Sequence, residues 1–417
     1  MRKDMERPLS GIRVISLGQY MSAPYCSLLL ADAGAQVIKI ERPGTGDPRR
    51  AIPPFAEGPD GAKVAGGFMA YNRNKKSLAL NMRSEEGKEV FRRLAATSDV
   101  VVENLRPGAM EKMGFDYPSL KEINPRLVYA TISGFGRLPG YEGPYGNRPA
   151  FDIVAEAMSG VMDLVGFADK PPSWTIYGLA DVYSGMVTAY GIMQALFMRE
   201  RTGEGQFVDS SMLDNMIALN ERMIMLYSIT GQEPHRGRLR HAYPRAAFQC
   251  SDGWLALNVP NDLVWQRLCQ VMEREDLIDD PRSKDGNARA DHTEFLDPII
   301  SAWMAGRTRS EADEALNSHG VPVGPVYTAS DVFASPQVEA RKMLITVDDP
   351  QVGEYRFART VPMLSSAPEA EGRPAPRLGQ HTRQILGELL GYDAAELDRL
   401  EREKVIESTP ETPSPDR

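Results

Sequence analysis

The sequence predicts an α/β protein, with a Rossmann-like large domain built on a parallel sheet and a smaller α+β domain beside it. Short β-rich runs alternate with helical periods along the first part of the chain, which is the pattern of a parallel sheet covered by helices. At 417 residues the chain has the length for two or three domains with substantial cores. A middle segment, 235–325, breaks the alternation with a hairpin-like pattern before helical character returns.

Taken in order, "IRVISL" (12–17) reads as the first strand, "APYCSLLLADAGA" as a helix and "QVIKIE" (36–41) as the second strand. The insert 42–67 is too rich in Pro, Gly and charge for either element, and a long loop in a compact domain is more often functional than idle. "SLALNM" (77–82) is the next strand, followed by a helix from about Glu85 to Ala96 and the strand "DVVVEN" (99–104). Ser119 and Glu122 have the spacing of a capping box before the strand "RLVYATIS". "TIYGLADVYSGMVTAYGIMQALFMRE" (175–200) reads as a helix of small and apolar residues with one carboxylate, Asp181, at its entrance.

A helical stretch, roughly 210–229, carries the chain out of this domain. The basic run "HRGRLRH" then leads to "AFQCSDGWLALNV", a hairpin turned at Ser251–Gly253. "GVPVGPVYT" (320–328) has the Gly and Pro content of a stiff linker, and "TRQILGELLGY" returns to helix against the first domain. The expected boundaries are 1–210 for the large domain, 211–234 for a helical linker and 235–325 for the small domain. A return linker and the C-terminal part of the large domain take 326–407, and the Pro- and Ser/Thr-rich 408–417 is a disordered tail.

Composition narrows the function. Lys+Arg 48 against Asp+Glu 57 gives a net charge of −9, which argues against nucleic acid as a partner. Cys26, Cys250 and Cys269 are far apart, with no C-x-x-C, so neither a disulfide framework nor a structural zinc site is expected. The N-terminus lacks the apolar core of a signal peptide. The least polar run, 186–198, contains Tyr190 and Gln194 and falls short of the roughly 20 apolar residues of a membrane span. The expectation is a cytoplasmic protein with no membrane partner.

The standard catalytic motifs are missing. Glu41 ends the second strand about where a ribose-binding acid would sit, but the turn after the first strand, Gly18-Gln19-Tyr20-Met21-Ser22-Ala23-Pro24, is not G-x-G-x-x-G. No P-loop, no G-x-S-x-G and no H-E-x-x-H occurs. The five histidines (His235, His241, His292, His319, His381) show no ligand spacing, so no metal site is expected. Carboxylate chemistry remains. Asp181 fits it, but Asp is equally among the best helix caps, and the local pattern leaves both readings open.

"LSGIRVISLGQYMSAPYCSLLLADAGAQVIKIERPGTGDPRR" resembles the opening of the class III CoA-transferases, the family that also contains the α-methylacyl-CoA racemases. The likeness continues in order through "YNRNKKSLALNM", "VVENLRPGAMEKMGFDY", "RPAFDIVAEAMSG", "ERTGEGQFVDSSMLD", "GVPVGPV" and "LGQHTRQIL", covering nearly the whole chain. The resemblance implies that Asp181 attacks an acyl-CoA thioester and that CoA passes to a carboxylic acid through a mixed anhydride and an aspartyl-CoA thioester. It implies no permanently bound cofactor, with coenzyme A as substrate and a small carboxylate as acceptor, and an interlocked homodimer. CoA contacts fall by resemblance on Arg42, Asn104 and Lys112, and with them Lys75, Arg106, Met113 and Tyr20.

These basic positions are expected at strand ends on the ligand side of the sheet. The helix dipole at Asp181 is expected to favour its ionised form, and Gly178, Ala180, Ser184 and Gly185 to leave room for a thioester with amides facing an oxyanion.

The racemase branch of the family is the alternative activity. It uses a His-Asp pair where this chain has Phe151-Asp152, and a glutamate where it has Pro260-Asn261-Asp262, so two acid/base residues are missing. Asp152 is then read as structural, ordering the loop before it. The formyl-CoA branch carries a tetraglycine loop that this chain lacks, and a glutamine where it has Met21. Arg238, Arg240 and Arg245 are candidates for reading the acceptor's charge.

Overall fold

The computed structural model describes residues 7–59, 61–234, 236–237, 243–369 and 372–409. Its contacts divide the chain into two units, one holding the described residues of 1–163, 173–234 and 342–417, the other those of 164–172 and 235–341. The chain therefore returns to the first unit at Lys342 rather than at 326, because the helices Ala329–Ala334 and Pro336–Ala340 pack with the second.

The first unit is built on a seven-stranded sheet of β1 (Arg13–Ser16), β2 (Gln36–Glu41), β3 (Lys76–Leu80), β4 (Val100–Glu103), β5 (Val128–Ser133), β6 (Phe207–Ser211) and β7 (Ile406–Glu407). The order across it is β7-β3-β2-β1-β4-β5-β6, and every pair is parallel except β7 with β3. Strand order reverses between β1 and β4, and in such sheets the crevice beyond the strand C-termini at that reversal is where ligands bind.

Both faces of the sheet are buried, which is why its strands read as nearly continuous apolar runs. Ile15, Ile38, Leu78 and Val101 face one core with Val90, Phe91 and Leu94 of the helix Glu85–Ala96 and with Ile385, Leu386, Leu397 and Leu400 near the C-terminus. Val14, Val37, Val100 and Val128 face the other, against Ala23, Cys26 and Leu30 of the helix Ser22–Asp32 and Ala189, Ile192 and Leu196 of the long helix Leu179–Thr202. The helix at 85–96 starts where Ser84 accepts a hydrogen bond from Gly87 N (3.1 Å), and its buried residues recur at helical spacing.

Four expectations need correction. The helix before β5 begins with Asp116 as its cap, accepting from Ser119 N, so Ser119 lies inside the helix Tyr117–Ile123 and does not start it. The 42–67 insert contains a 3-10 turn, Pro48–Ala51, and an antiparallel hairpin of Phe55–Glu57 with Lys63–Ala65. Within the supposed linker 320–328, Val323–Pro325 is a strand, paired antiparallel with Leu255–Leu257 of the strand Gly253–Asn258. Ser408 and Thr409 are hydrogen-bonded, Thr409 Oγ1 donating to Leu378 O (2.6 Å), while 410–417 lie outside the described residues.

The second unit holds the predicted hairpin, Arg245–Cys250 with Gly253–Asn258, over a core that includes Phe248, Leu255, Trp265, Leu268 and Ile300. The three cysteines are buried and unpaired. No helix among the described residues is long and apolar enough to cross a membrane.

Candidate active site

The site is built where β1 and β4 end. Asn104, the first residue after β4, accepts from Gln19 N (2.8 Å) and donates to Gln19 O (2.8 Å) and Ser22 Oγ (2.9 Å), fixing the turn between β1 and its helix. The Ser22 hydroxyl in turn lies close enough to the Asp181 carboxyl to favour its ionised form. Asn104 thus ties the sheet to the start of that helix, and both ends of its carboxamide are committed.

Asp181 stands in the first turn of the long helix and is not its cap. The cap position is Gly178 (φ 88°), with no side-chain cap of its own. A side chain there meets two obstacles, the left-handed backbone and Met21, whose Cε would lie 2.2 Å from a Cβ. Capping is supplied from another helix. The buried Asp152 carboxylate, at the start of Asp152–Met158, accepts from Gly178 N (3.2 Å), Ala180 N (2.6 Å) and Asp181 N (3.3 Å), and also from Trp174 Nε1 (3.0 Å). From the sequence, Asp152 is expected to order the loop before it; its carboxylate instead orders the helix entrance.

This overturns the electrostatic expectation for Asp181. The amides expected to face an oxyanion are already occupied by Asp152, whose charge offsets the helix dipole. Burial first, and then the Asp152 charge, push the Asp181 carboxyl up to about 7, against smaller lowering effects from Ser22 and Arg49. The small residues have a packing role as well. Ala180, Ser184 and Gly185 are buried, and a Cβ on Gly185 would lie 2.6 Å from Ser22 O, so the two helices touch there.

Two residues that sequence reasoning did not single out stand beside Asp181. Arg49, in the 3-10 turn, is 7% exposed and donates from Nη1 to Tyr177 Oη (3.2 Å). Tyr71 lies close enough to Arg49 and Asp181 for both charges to act on its hydroxyl, which burial pushes up. Arg49's neighbour is spent elsewhere: Arg50 forms a two-pronged ion pair with Glu41 (2.7 and 2.8 Å). Glu41 also accepts from Ser77 Oγ (2.8 Å) and Asp47 N (3.0 Å). Burial works against its charge, but Arg50, Lys39 and Ser77 outweigh it and hold Glu41 at about 2, which leaves it no free edge for a ribose. The sequence "DPRR" gave no signal of which arginine would be absorbed.

Of the expected CoA contacts, Arg42 after β2 and Arg106 and Lys112 after β4 are exposed and free of ion pairs among the described residues, at the C-terminal edge. Arg83, after β3, shares that edge and was missed, although its place after the "SLALNM" strand marked it. Lys75 does not belong there. It precedes β3, at the opposite edge, and its buried amine donates to Pro24 O (2.8 Å) and Asn72 Oδ1 (3.0 Å). Arg73 is likewise bound to Asp32 (2.8 Å). Met113 packs against the core, and Tyr20, with φ 62°, stands edge-on to the exposed Phe151. Asn261 caps the helix Asp262–Val271 through Val264 N (3.0 Å). Arg245 is exposed on its strand, and Arg238, Arg240, His235 and His241 lie outside the described residues.

The fold and site define an α/β enzyme class with a carboxylate at a sheet switch point and a basic strand edge beside it. The model of CoA-transferase family III matches residues 9–382, and the chain belongs to that family and is a CoA-transferase. It is 36% identical over 403 residues to a succinyl-CoA–D-citramalate CoA-transferase of Chloroflexus aurantiacus, covering 96% of this chain and 98% of that one. It is 39% identical over 384 residues to a succinyl-CoA:mesaconate CoA-transferase of Haloarcula hispanica, covering 91% and 96%. Among solved structures, a CAIB/BAIF family protein from Brucella suis aligns with a TM-score of 0.83 at 35% identity, covering 92% of this chain and all of that one.

Proposed function

We propose that the protein moves CoA from an acyl-CoA to a carboxylic acid, with dicarboxylic acids as its substrate class, through covalent chemistry on Asp181. The Asp181 carboxylate attacks the thioester carbonyl, giving a mixed anhydride and CoA thiolate. Thiolate attacks the aspartyl carbonyl and releases the first acid, leaving an aspartyl-CoA thioester. The acceptor carboxylate attacks that thioester, and the freed thiolate takes the new acyl group, restoring Asp181. The acids in the relatives' names support the substrate class.

The observation that carries this reading is the strained charge of Asp181, half-buried beside Asp152 and raised to about 7. About half of it is ionised at neutral pH, and that ion is more basic than an ordinary aspartate. Acylation removes the charge and with it the burial cost and repulsion, a driving force of a few kcal/mol at about 1.4 kcal/mol per pKa unit. Arg42, Arg83, Arg106 and Lys112 supply positive charge for the CoA phosphates at the strand edge. The experiment is incubation with succinyl-CoA followed by hydroxylamine or borohydride trapping and peptide mass spectrometry. Modification at Asp181 is expected, and full transfer activity in Asp181→Ala would sink the reading.

The protein acts as a homodimer in this proposal. Met186, Tyr190, Met193 and Phe197 form an exposed apolar stripe on the long helix, and Ile224, Tyr227 and Ile229 extend exposed apolar surface onto the helix Glu221–Thr230. A monomer rarely leaves such a patch in water. Light scattering at twice the 46.1 kDa chain mass is the expected result.

A further inference from the structure

We propose that Arg49 reads the second carboxylate of a dicarboxylic substrate, holding the end of the acyl group that does not react with Asp181. The proposal rests on the transferase reading and adds to it the residue that sets acceptor class.

Arg49 is a buried guanidinium that lacks a matching anion. Arg49 makes no ion pair with any described carboxylate, its Nε is buried with no hydrogen-bond partner, and its one side-chain bond goes to the neutral Tyr177 hydroxyl. Burying a charge without a close counter-charge is costly, and such a group is retained where a ligand completes it. The turn that carries Arg49 is built to hold it there. Asp47, anchored by the fully buried Lys39 (2.8 Å), accepts from Arg49 N (2.9 Å) and Tyr20 N (3.2 Å). Gly67 clears the space for the guanidinium, since a Cβ there would lie 2.4 Å from Nε and Nη2.

The reaction supplies the counter-charge at the right moment. In the free protein, the Arg49 charge acts on the Asp181 carboxyl and favours its ionised form, against the larger effects of burial and Asp152. Once Asp181 is an anhydride or thioester it is neutral, and Arg49 then faces only what the substrate brings. A monocarboxylic acyl group brings nothing, whereas a dicarboxylic one brings a second carboxylate suited to the planar guanidinium fork. The Tyr177 ring, 5.5 Å from the guanidinium carbon, walls this position and its hydroxyl shares the donor.

The test uses matched acceptors with succinyl-CoA as donor: glutarate against valerate, and adipate against hexanoate, each pair differing by a methyl in place of the second carboxylate. In Arg49→Met, the ratio of kcat/KM for diacid over monoacid is expected to fall on the order of 10- to 100-fold, the loss of a charge-assisted hydrogen bond. Arg49→Lys gives an intermediate ratio, and Gly67→Ala, which displaces the guanidinium without removing it, moves the ratio the same way. These two carry the test if Arg49→Met does not fold, as a melting curve shows. An equal loss for every acceptor, with the ratio unchanged, overturns the proposal and leaves the transferase reading intact. A wild-type protein that transfers CoA to no acid overturns both.

Discussion

Replacing Asp152 by Asn tests the account of Asp181 most directly. Asp152 accepts the Asp181 amide at 3.3 Å, so the two carboxyl groups lie within roughly 7 Å of each other whichever way the Asp181 side chain turns. One charge at roughly 6–7 Å, at an effective dielectric of about 20, is worth on the order of 2–3 kcal/mol, or about 1.5–2 pKa units. The assay is the pH dependence of Asp181 acylation by acyl-CoA, measured in single turnover. The wild type should lose the ionised nucleophile as pH falls through about 7 and drop tenfold per unit below it. In Asp152→Asn the inflection should move down by roughly 1.5–2 units, because Asn keeps one oxygen for the amides but carries no charge. The rate plateau falls as well, since the helix entrance loses acceptor capacity, so the inflection is the diagnostic quantity. An inflection that stays near 7 in the variant, or a wild-type profile flat between pH 5 and 8, would refute the electrostatic reasoning. A purely structural Asp152 would lower the melting temperature and leave the inflection where it was.

Arg50→Met leaves Glu41 buried without its ion-pair partner and should cost roughly 3–5 kcal/mol in urea unfolding; a loss under 1 kcal/mol would mean that Lys39 and Ser77 suffice. Ser84→Ala removes a helix cap and should cost about 1 kcal/mol without altering the acylation rate. His381 accepts from Ser77 N (3.2 Å), and burial, with the Lys76 charge, lowers it to about 4 from an ordinary 6.5. The unfolded chain then binds this proton more readily than the folded one, so stability is complete above 6.5 and is lost as pH falls toward 4. After discounting for partial exposure the loss is roughly 1–2 kcal/mol. His381→Gln, which still accepts from Ser77, should flatten that slope between pH 6.5 and 4.5 in thermal melts.

Much of the fold was legible because it rests on local pattern. The helix Glu85–Ala96 matches its expected span, since a Ser cap and helical spacing of Val90, Phe91 and Leu94 both act within a few residues. The strands were legible for the same reason, as their apolar runs need burial on both faces. Where an end or cap depended on distant partners, local reading failed. Val323–Pro325 is a strand only because Gly253–Asn258 lies beside it. Lys75 was assigned to the ligand edge by its neighbours in "NRNKK", but strand direction puts it at the other end, with its amine turned to Pro24 and Asn72.

The sequence by itself determined the two-faced sheet, the long helix and a lone carboxylate at that helix's entrance. Those depend on the order of apolar and polar residues, which a chain carries in one dimension. Only the tertiary structure decided what the carboxylate is like. Asp152 lies 29 residues away and takes the amides that Asp181 was expected to use. Glu41 absorbs Arg50 but leaves Arg49 beside Tyr177. A charge's energy is set by its burial and by whichever charges and dipoles come within a few ångströms, and folding sets both.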